Sequence, residues 1–149
     1  MKLTVLAGIS GSGKSTLAKQ LATEAATAGQ SVTICAIDDF FTNLAGEYRW
    51  EGRLLGRNHR ACQDKAWAAC KEGNDLVIID CTNLKTSGRA PYKSMAAEFG
   101  YQYEVLVVGE FSEEFARLCA GRNQHGVPLD TILKMAQRGE LALKEGRLV

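Results

Sequence analysis

The feature that most constrains the fold lies near the start of the chain, where glycines, serines and a lysine follow a short apolar run. Residues 8–15 have the sequence GISGSGKS, and the apolar residues 3–7 precede them. The pattern G-x-x-x-x-G-K-[S/T] is the Walker A phosphate-binding loop, which joins a β-strand to an α-helix. Helix-forming residues 16–22 follow directly, so strand, loop and helix stand in the required order. The sequence therefore predicts an α/β P-loop fold.

Each residue type in this loop has a physical reason. Glycine lets the backbone curl so that its N–H groups point at phosphate oxygens, and the helix N-terminus adds a favourable dipole. We expect Lys14 to reach the β- and γ-phosphates and to act in catalysis, and Ser15 to bind Mg²⁺. The predicted cofactors are thus ATP, or another nucleoside triphosphate, and Mg²⁺. The predicted nucleotide-binding residues of the loop are Gly8, Ser10, Gly11, Ser12, Gly13, Lys14, Ser15 and Thr16.

Length and composition favour one domain covering residues 1–149. Hydrophobic residues make up 46% and charged residues 23% of the chain, which is typical of a globular protein. The formal net charge of +1 provides no strong field for long nucleic acids or membranes. The five cysteines form no C-x-x-C pair and no zinc-ligand spacing, and no apolar run is long enough to cross a membrane. We therefore expect a cytoplasmic protein with reduced thiols and no membrane partner.

Strand and helix patterns alternate along the rest of the chain. Strands are predicted over residues 32–37, 76–80 and 103–108, and helices over residues 54–71, 90–99, from Ser112 onward and over 128–144. Such alternation predicts a parallel sheet of four or five strands with helices on both faces. Catalytic groups should then gather where the strands end, at the carboxyl edge of the sheet.

Carboxylates and polar groups follow two of these strands. Asp38 and Asp39 come after the second strand, and we expect Asp38 to orient or deprotonate an attacking hydroxyl, with Asp39 beside the acceptor. Asp80 ends the third strand and is predicted to lie beside Mg²⁺, as a Walker B carboxylate does. Thr82 and Asn83 follow it and could bind the acceptor. The alternative is that these aspartates only cap turns.

Arginines form two further groups. Arg117, Arg122 and Arg138 lie before and after residues 123–128, a loop that could close over the nucleotide as a lid. In that position Arg122 would stabilise the charge on the transferring phosphoryl group, and Arg117 would contact the nucleotide. The alternative for all three is solvated surface charge.

The second group is Arg49, Arg53, Arg57 and Arg60. If this segment is helical, the spacing of three or four residues gives one basic stripe. The stripe could hold acceptor phosphates, with Arg49 and Arg53 as the predicted contacts and Tyr48 and Trp50 as stacking surfaces. A solvated helix face is the equally weighted alternative.

Taken together, these patterns resemble the polynucleotide 5′-hydroxyl kinase family, which includes the phage kinase domain and the NEDD4-binding-protein-like P-loop kinases. The resemblance rests on the Walker A loop, DDFF at 38–41, DCTNL at 80–84 and RNQHGVP at 122–128. It implies that Asp38 is the general base, that Thr82 and Asn83 lie beside the acceptor, and that Arg122 is a lid arginine.

The chain departs from the phage pattern at two places. Phe41 stands where the phage enzyme has an arginine that contacts an acceptor phosphate, and His125 and Gly126 stand near a second lid arginine. The acceptor contacts should therefore differ from those of the phage enzyme.

Three functional hypotheses follow. The first is an ATP- and Mg²⁺-dependent kinase that phosphorylates the 5′-hydroxyl end of DNA or RNA. The second is a kinase for a small acceptor such as a nucleoside, nucleotide, sugar or antibiotic. The third is a slow ATPase that acts as a regulatory module through a partner. All three share the predicted fold, so the fold alone does not decide among them.

Overall fold

The computed structural model describes all residues from 1 to 149. Its four strands are β1 (Lys2–Ala7), β2 (Val32–Ala36), β3 (Leu76–Asp80) and β4 (Gln102–Val107). Its five α-helices are α1 (Lys14–Thr27), α2 (Leu55–Lys71), α3 (Thr86–Phe99), α4 (Glu113–Arg122) and α5 (Leu129–Lys144). Short 3₁₀ helices cover Ile37–Phe41 and Gly52–Leu54. The predicted α/β fold is confirmed, with four strands.

The sheet has the order β2-β3-β1-β4, and every neighbouring pair is parallel. Strand β1 is therefore an interior strand, and the Walker A loop leaves from its carboxyl end. Asp80 is in register with Leu6 on one side and with Ala36 on the other. This register brings the ends of β1, β2 and β3 together, so the segments that follow them meet at one edge of the sheet.

Helices cover both faces of the sheet because alternate strand residues point to opposite sides. On one face, Leu3, Val5 and Val77 pack in a cluster with residues of α2 and α3. On the other face, Leu6 and Ile78 pack against α1. A third cluster joins the end of β1 to α4 and α5. The packed helices thus hold the strand ends rigidly beneath the edge from which the loops emerge.

Several predicted boundaries differ from the structure, most of them by one residue. The second strand ends at Ala36, and Ile37 begins a 3₁₀ helix that turns the chain at the edge of the sheet. Helix α3 begins at Thr86, earlier than predicted, with Pro91 inside it. Proline lacks an N–H and usually interrupts a helix, so the continuous helix through Pro91 is unusual.

All five cysteines are buried free thiols. No helix in the structure has the length and apolar character needed to cross a membrane.

Candidate active site

A cleft of about 610 Å³ opens at the carboxyl edge of the sheet, between the Walker A loop and the segment that follows α4. It contains most of the predicted site residues. The donor-side residues that line it are Ser10, Gly11, Ser12, Gly13, Lys14, Ser15 and Thr16. The other predicted residues that line it are Asp38, Asp80, Thr82 and Arg122.

Glycine is required where the loop comes close to α4. Gly11 has φ +80°, and a Cβ there would lie 2.7 Å from the backbone oxygen of Cys119. Gly13 has φ +101° and precedes the first residue of α1. The backbone N–H groups of Gly11 and Gly13 donate to no acceptor in the protein, so both are available to an anion. Gly8 lies behind the loop, where its N–H donates to the oxygen of Thr82 at 3.0 Å.

Lys14 is held inside the loop. Its Nζ donates to the backbone oxygen of Ile9 at 2.8 Å, and the side chain is buried. Burial lowers the pKa of Lys14, while the negative charges of Asp80 and Asp38 oppose that shift. Nearby, the hydroxyl of Ser12 is buried without a hydrogen-bond partner. A lysine and free backbone N–H groups in one loop fit the phosphates of a nucleotide.

Ser15 and Asp80 meet where a divalent cation would be expected. The hydroxyl of Ser15 donates to Oδ2 of Asp80 at 2.8 Å. Burial raises the pKa of Asp80, and the Ser15 hydrogen bond and the Lys14 charge oppose the shift. A hydroxyl and a carboxylate are oxygen ligands, which Mg²⁺ prefers, and the nucleotide would supply further oxygens.

Arg122 connects the lid segment to the phosphate loop. It is the last residue of α4, and its Nε donates to the backbone oxygen of Gly11 at 2.7 Å. The guanidinium also lies 5.5 Å from the centre of the Phe115 ring. Helix α4 is positioned by Ser112, which accepts from the N–H of Phe115. The predicted lid arginine therefore lies directly at the donor side of the cleft.

Asp38 lies on the opposite wall, in the 3₁₀ helix after β2. Its Oδ1 accepts from the hydroxyl of Tyr48 at 3.4 Å, and its Oδ2 lies 3.3 Å from Nε2 of His125. The rings of Tyr48 and His125 are 4.1 Å apart between centres. The sequence analysis considered the three residues separately and did not predict this grouping, because they come from separate segments of the chain.

A family model described as an AAA domain matches residues 3–142. The chain belongs to this family. Human NEDD4-binding protein 2 is 30% identical over 135 residues, which are 91% of this chain and 7% of that protein. The chain therefore corresponds to a small part of that relative, and the sequence resemblance to the NEDD4-binding-protein-like kinases is confirmed.

Solved structures place this AAA domain chain among P-loop kinase folds. The structure of the Pnkp1/Rnl/Hen1 RNA repair complex aligns with a TM-score of 0.74 at 20% identity, covering 97% of this chain and 45% of the other. The Mycobacterium tuberculosis APS kinase CysC, in complex with AMPPNP and APS, aligns with a TM-score of 0.58 at 18% identity, covering 96% and 97%. At such identities the likeness shows the fold alone.

Two residues that were predicted to contact ligands lie away from the cleft. Asp39 is exposed and does not line it. Arg117 is exposed on α4 and pairs with Glu113 at 2.7 Å, one helical turn earlier. In this arrangement Arg117 belongs to a surface ion pair and does not line the cleft.

The predicted basic stripe is also absent. Helix α2 begins at Leu55, so Arg49 and Arg53 precede it and share no helical face with the arginines at 57 and 60. Arg49 lies 3.8 Å from Glu47, and Arg53 lies 2.8 Å from Glu51, with both arginine side chains at least 77% exposed. Neither arginine lines the cleft. Neighbouring acidic residues thus neutralise the charges that were predicted to bind acceptor phosphates.

Asn83 has a structural position instead of the predicted acceptor contact. It is buried with φ +50°, and its Nδ2 donates to the backbone oxygens of Leu6 at 2.7 Å and Cys81 at 3.2 Å. Its own backbone oxygen accepts from the buried guanidinium of Arg89 at 2.7 Å. The side-chain amide therefore fixes the turn after β3, and Thr82 is the residue of this pair that faces the cleft.

Proposed function

We propose that this chain is an ATP- and Mg²⁺-dependent kinase that transfers the γ-phosphoryl group to the 5′-hydroxyl end of DNA or RNA. The observation that carries the proposal is the position of Asp38, whose carboxylate lines the same cleft as the phosphate-binding loop. Burial lowers the pKa of Lys14, and the negative charge of Asp38 is close enough to oppose that shift. A carboxylate facing bound phosphates is suited to accept a proton from an attacking hydroxyl.

On the donor side, the loop would bind the triphosphate through backbone N–H groups and Lys14. Ser15 and Asp80 would hold Mg²⁺, which would neutralise charge on the β- and γ-phosphates. Arg122 sits against the loop through Gly11, where its remaining guanidinium donors can stabilise the transferring phosphoryl group. The Mycobacterium kinase complex with AMPPNP supports a nucleotide in this fold.

On the acceptor side, the hydroxyl oxygen would attack the γ-phosphorus in line with the leaving group. A bond forms between that oxygen and phosphorus, the bond to the β–γ bridging oxygen breaks, and ADP leaves. Asp38 takes the hydroxyl proton as its oxygen becomes a phosphate ester. Thr82 lines the cleft and could donate a hydrogen bond to the incoming acceptor.

The choice of a nucleic acid acceptor rests on the relatives together with the sequence motifs. NEDD4-binding protein 2 is a relative in the branch that the sequence resemblance names, and a solved structure of the same fold belongs to an RNA repair complex. The specific motifs are the DDFF, DCTNL and RNQHGVP segments that the sequence resemblance uses.

The test is transfer of labelled γ-phosphate from ATP with Mg²⁺ to a short 5′-hydroxyl oligonucleotide, beside free nucleosides and a reaction without acceptor. We expect label on the oligonucleotide, and a loss of about two to four orders of magnitude in turnover for Asp38→Asn with ATP binding kept. Asp39→Asn is the matched control, because Asp39 is adjacent but does not line the cleft.

Each other outcome has a defined meaning. Label only on nucleosides would replace the proposal by a small-molecule kinase. Release of free phosphate alone would favour a slow ATPase that acts through a partner. If Asp38→Asn weakened ATP binding without slowing transfer, Asp38 would be a structural or metal-site residue.

One observation favours the small-molecule kinase as the second candidate. Arg49 and Arg53 are paired with acidic neighbours, so the loop beside the acceptor side offers little net positive charge for a phosphate backbone. The near-neutral charge of the whole chain points the same way.

A further inference from the structure

The acceptor wall of the cleft contains a contact that the donor chemistry does not explain. Asp38, Tyr48 and His125 meet there, although they come from the 3₁₀ helix after β2, the loop that follows it, and the lid segment after α4. We propose that Tyr48 and His125 are positioning residues for Asp38, so that the lid segment completes the general base. The proposal rests on the proposed function in assigning Asp38 as the base.

Tyr48 is held in place independently of Asp38. An antiparallel bridge joins it to Thr42, and the N–H of Arg49 donates to the oxygen of Phe41 at 2.8 Å. These contacts form a small hairpin that presents the phenol to the carboxylate. The pKa of Tyr48 is raised to about 12, first by burial and then by the charge of Asp38. The phenol therefore remains protonated at neutral pH and acts as a hydrogen-bond donor.

His125 is also presented by a built turn. Oδ1 of Asn123 accepts from the N–H of His125 at 2.9 Å, while Nδ2 of Asn123 donates to the oxygen of Val127 at 2.8 Å. Gly126 has φ +67°, which allows the tight reversal within this segment. The Asn123 side chain thus fixes the loop that carries the imidazole toward Asp38.

The two contacts reach different oxygens of one carboxylate. The side chain of Asp38 is 43% exposed, so without partners it could rotate about its side-chain bonds. Tyr48 at Oδ1 and His125 at Oδ2 restrict that rotation, and each oxygen keeps a further lone-pair position for the acceptor hydroxyl. A base that is held in one orientation contributes more to proton transfer than a freely rotating one.

Because His125 belongs to the lid, the base and the donor side are coupled. Arg122, three residues before it, is bonded to the Walker A loop, so one segment reaches both walls of the cleft. The lid segment therefore presents an arginine to the phosphate loop and an imidazole to the base from one stretch of chain. If the same segment instead blocked the approach of the acceptor to Asp38, removal of the His125 side chain would raise kcat.

The test uses the full chain with His125→Ala, His125→Gln and Tyr48→Phe, each alone and combined with Asp38→Asn. His59→Ala is the matched control, because the chain has two histidines and His59 is exposed on α2, outside the cleft. Turnover and KM are measured separately for ATP and for a 5′-hydroxyl oligonucleotide.

We expect His125→Ala to lower kcat by about 10- to 100-fold with the KM for ATP unchanged, as misplacement of a catalytic group does. His125→Gln should recover part of the loss because its amide can donate near the same oxygen, and Tyr48→Phe should show a smaller loss. In the Asp38→Asn background these changes should cost less than about twofold further, since the group they position is gone.

An undiminished loss in the Asp38→Asn background would show that His125 does not act through Asp38. A rise in kcat for His125→Ala would make His125 a gate, and either result overturns the proposal. A structural readout is independent of activity: in two-dimensional NMR, Asp38→Asn should shift the imidazole signals of His125 and leave those of His59 in place.

The two proposals fail differently. If the unaltered chain phosphorylates no oligonucleotide, the proposed function is wrong, while the NMR comparison still decides whether His125 contacts Asp38. If the oligonucleotide is phosphorylated and the imidazole signals of His125 do not shift in Asp38→Asn, the positioning role is wrong and the kinase assignment stands.

Discussion

The donor and acceptor walls of one cleft differ in how firmly they are built. On the donor wall, Lys14 and Ser15 each make a 2.8 Å contact, and Arg122 makes one of 2.7 Å. On the acceptor wall, the two contacts to Asp38 are 3.3 and 3.4 Å, and both Asp38 and His125 keep more than a third of their side chains exposed.

The difference reflects what each wall has to recognise. A triphosphate is the same for every acceptor, so its cradle can be built from consecutive residues between a strand and a helix. An acceptor hydroxyl is distinguished by what surrounds it, and loops that approach from separate segments can vary to meet it. In this chain, specificity should therefore depend on the hairpin that carries Tyr48 and on the lid.

The largest expected effect tests the donor wall. Lys14→Ala should lower transfer by about three to five orders of magnitude, because a cation at the transferring phosphoryl group is removed. Turnover with saturating acceptor measures this, and calorimetry with ATP shows how much binding is retained. Lys19→Ala, an exposed position on α1, is the control. Near-normal turnover in Lys14→Ala would remove the basis for treating this wall as the catalytic one.

The same contrast explains which parts of the site could be predicted from the sequence. Lys14 and Ser15 belong to one short motif whose geometry follows from strand, loop and helix, and Asp80 follows from its place at a strand end. The meeting of Tyr48 with His125 depends on how two distant loops fold over the sheet, which no local pattern encodes.

Errors in the predicted site have local physical causes. Asn83 has a polar side chain that was expected to face a ligand. Its amide instead donates to buried backbone oxygens, which would otherwise have no hydrogen-bond donor there. Arg49 and Arg53 were expected to share a helix face with later arginines, but the helix begins only at Leu55. Parallel strands and the sheet edge were predictable because short apolar runs alternate with helix patterns along the chain.

The next effect concerns Arg122, the lid arginine on the donor wall. Arg122→Ala should reduce kcat by about a hundredfold, as loss of one preorganised donor at a developing charge does. Arg117→Ala is the control on the same helix, and because its ion pair is exposed it should change kcat by less than about twofold. Equal effects of the two substitutions would mean that Arg122 contributes only surface charge. Single-turnover measurements distinguish the chemical step from release of ADP.

A smaller effect separates two neighbours at the end of β3. Asn83→Ala should lower the free energy of unfolding by about 1–3 kcal/mol, because buried backbone oxygens lose their donor. Thr82→Val keeps the shape of the side chain and should leave stability nearly unchanged while raising the KM for the acceptor. Chemical denaturation and steady-state kinetics on both variants give the comparison. A stable Asn83→Ala with a raised acceptor KM would restore the contact predicted from the sequence.

The smallest expected effect concerns Arg53, whose guanidinium is paired with Glu51 at 2.8 Å and lies outside the cleft. Arg53→Ala should change the acceptor KM by less than about twofold at physiological salt, since exposed ion pairs contribute little. The sharper measurement is the slope of log KM for a 5′-hydroxyl oligonucleotide against log salt. Each phosphate contact on a single strand contributes about 0.7 to that slope.

An unchanged slope in Arg53→Ala would mean that the acceptor is recognised by the hairpin that carries Tyr48 and by the lid. Hydrogen bonds and stacking there depend weakly on salt. A slope reduced by about 0.7 would mean that Arg53 leaves Glu51 when nucleic acid binds and contacts a phosphate. Glu51→Gln sharpens the result, because it frees the arginine without removing it. If Arg53 contacts a phosphate only after it leaves Glu51, Glu51→Gln should tighten oligonucleotide binding and leave the KM of a neutral nucleoside unchanged.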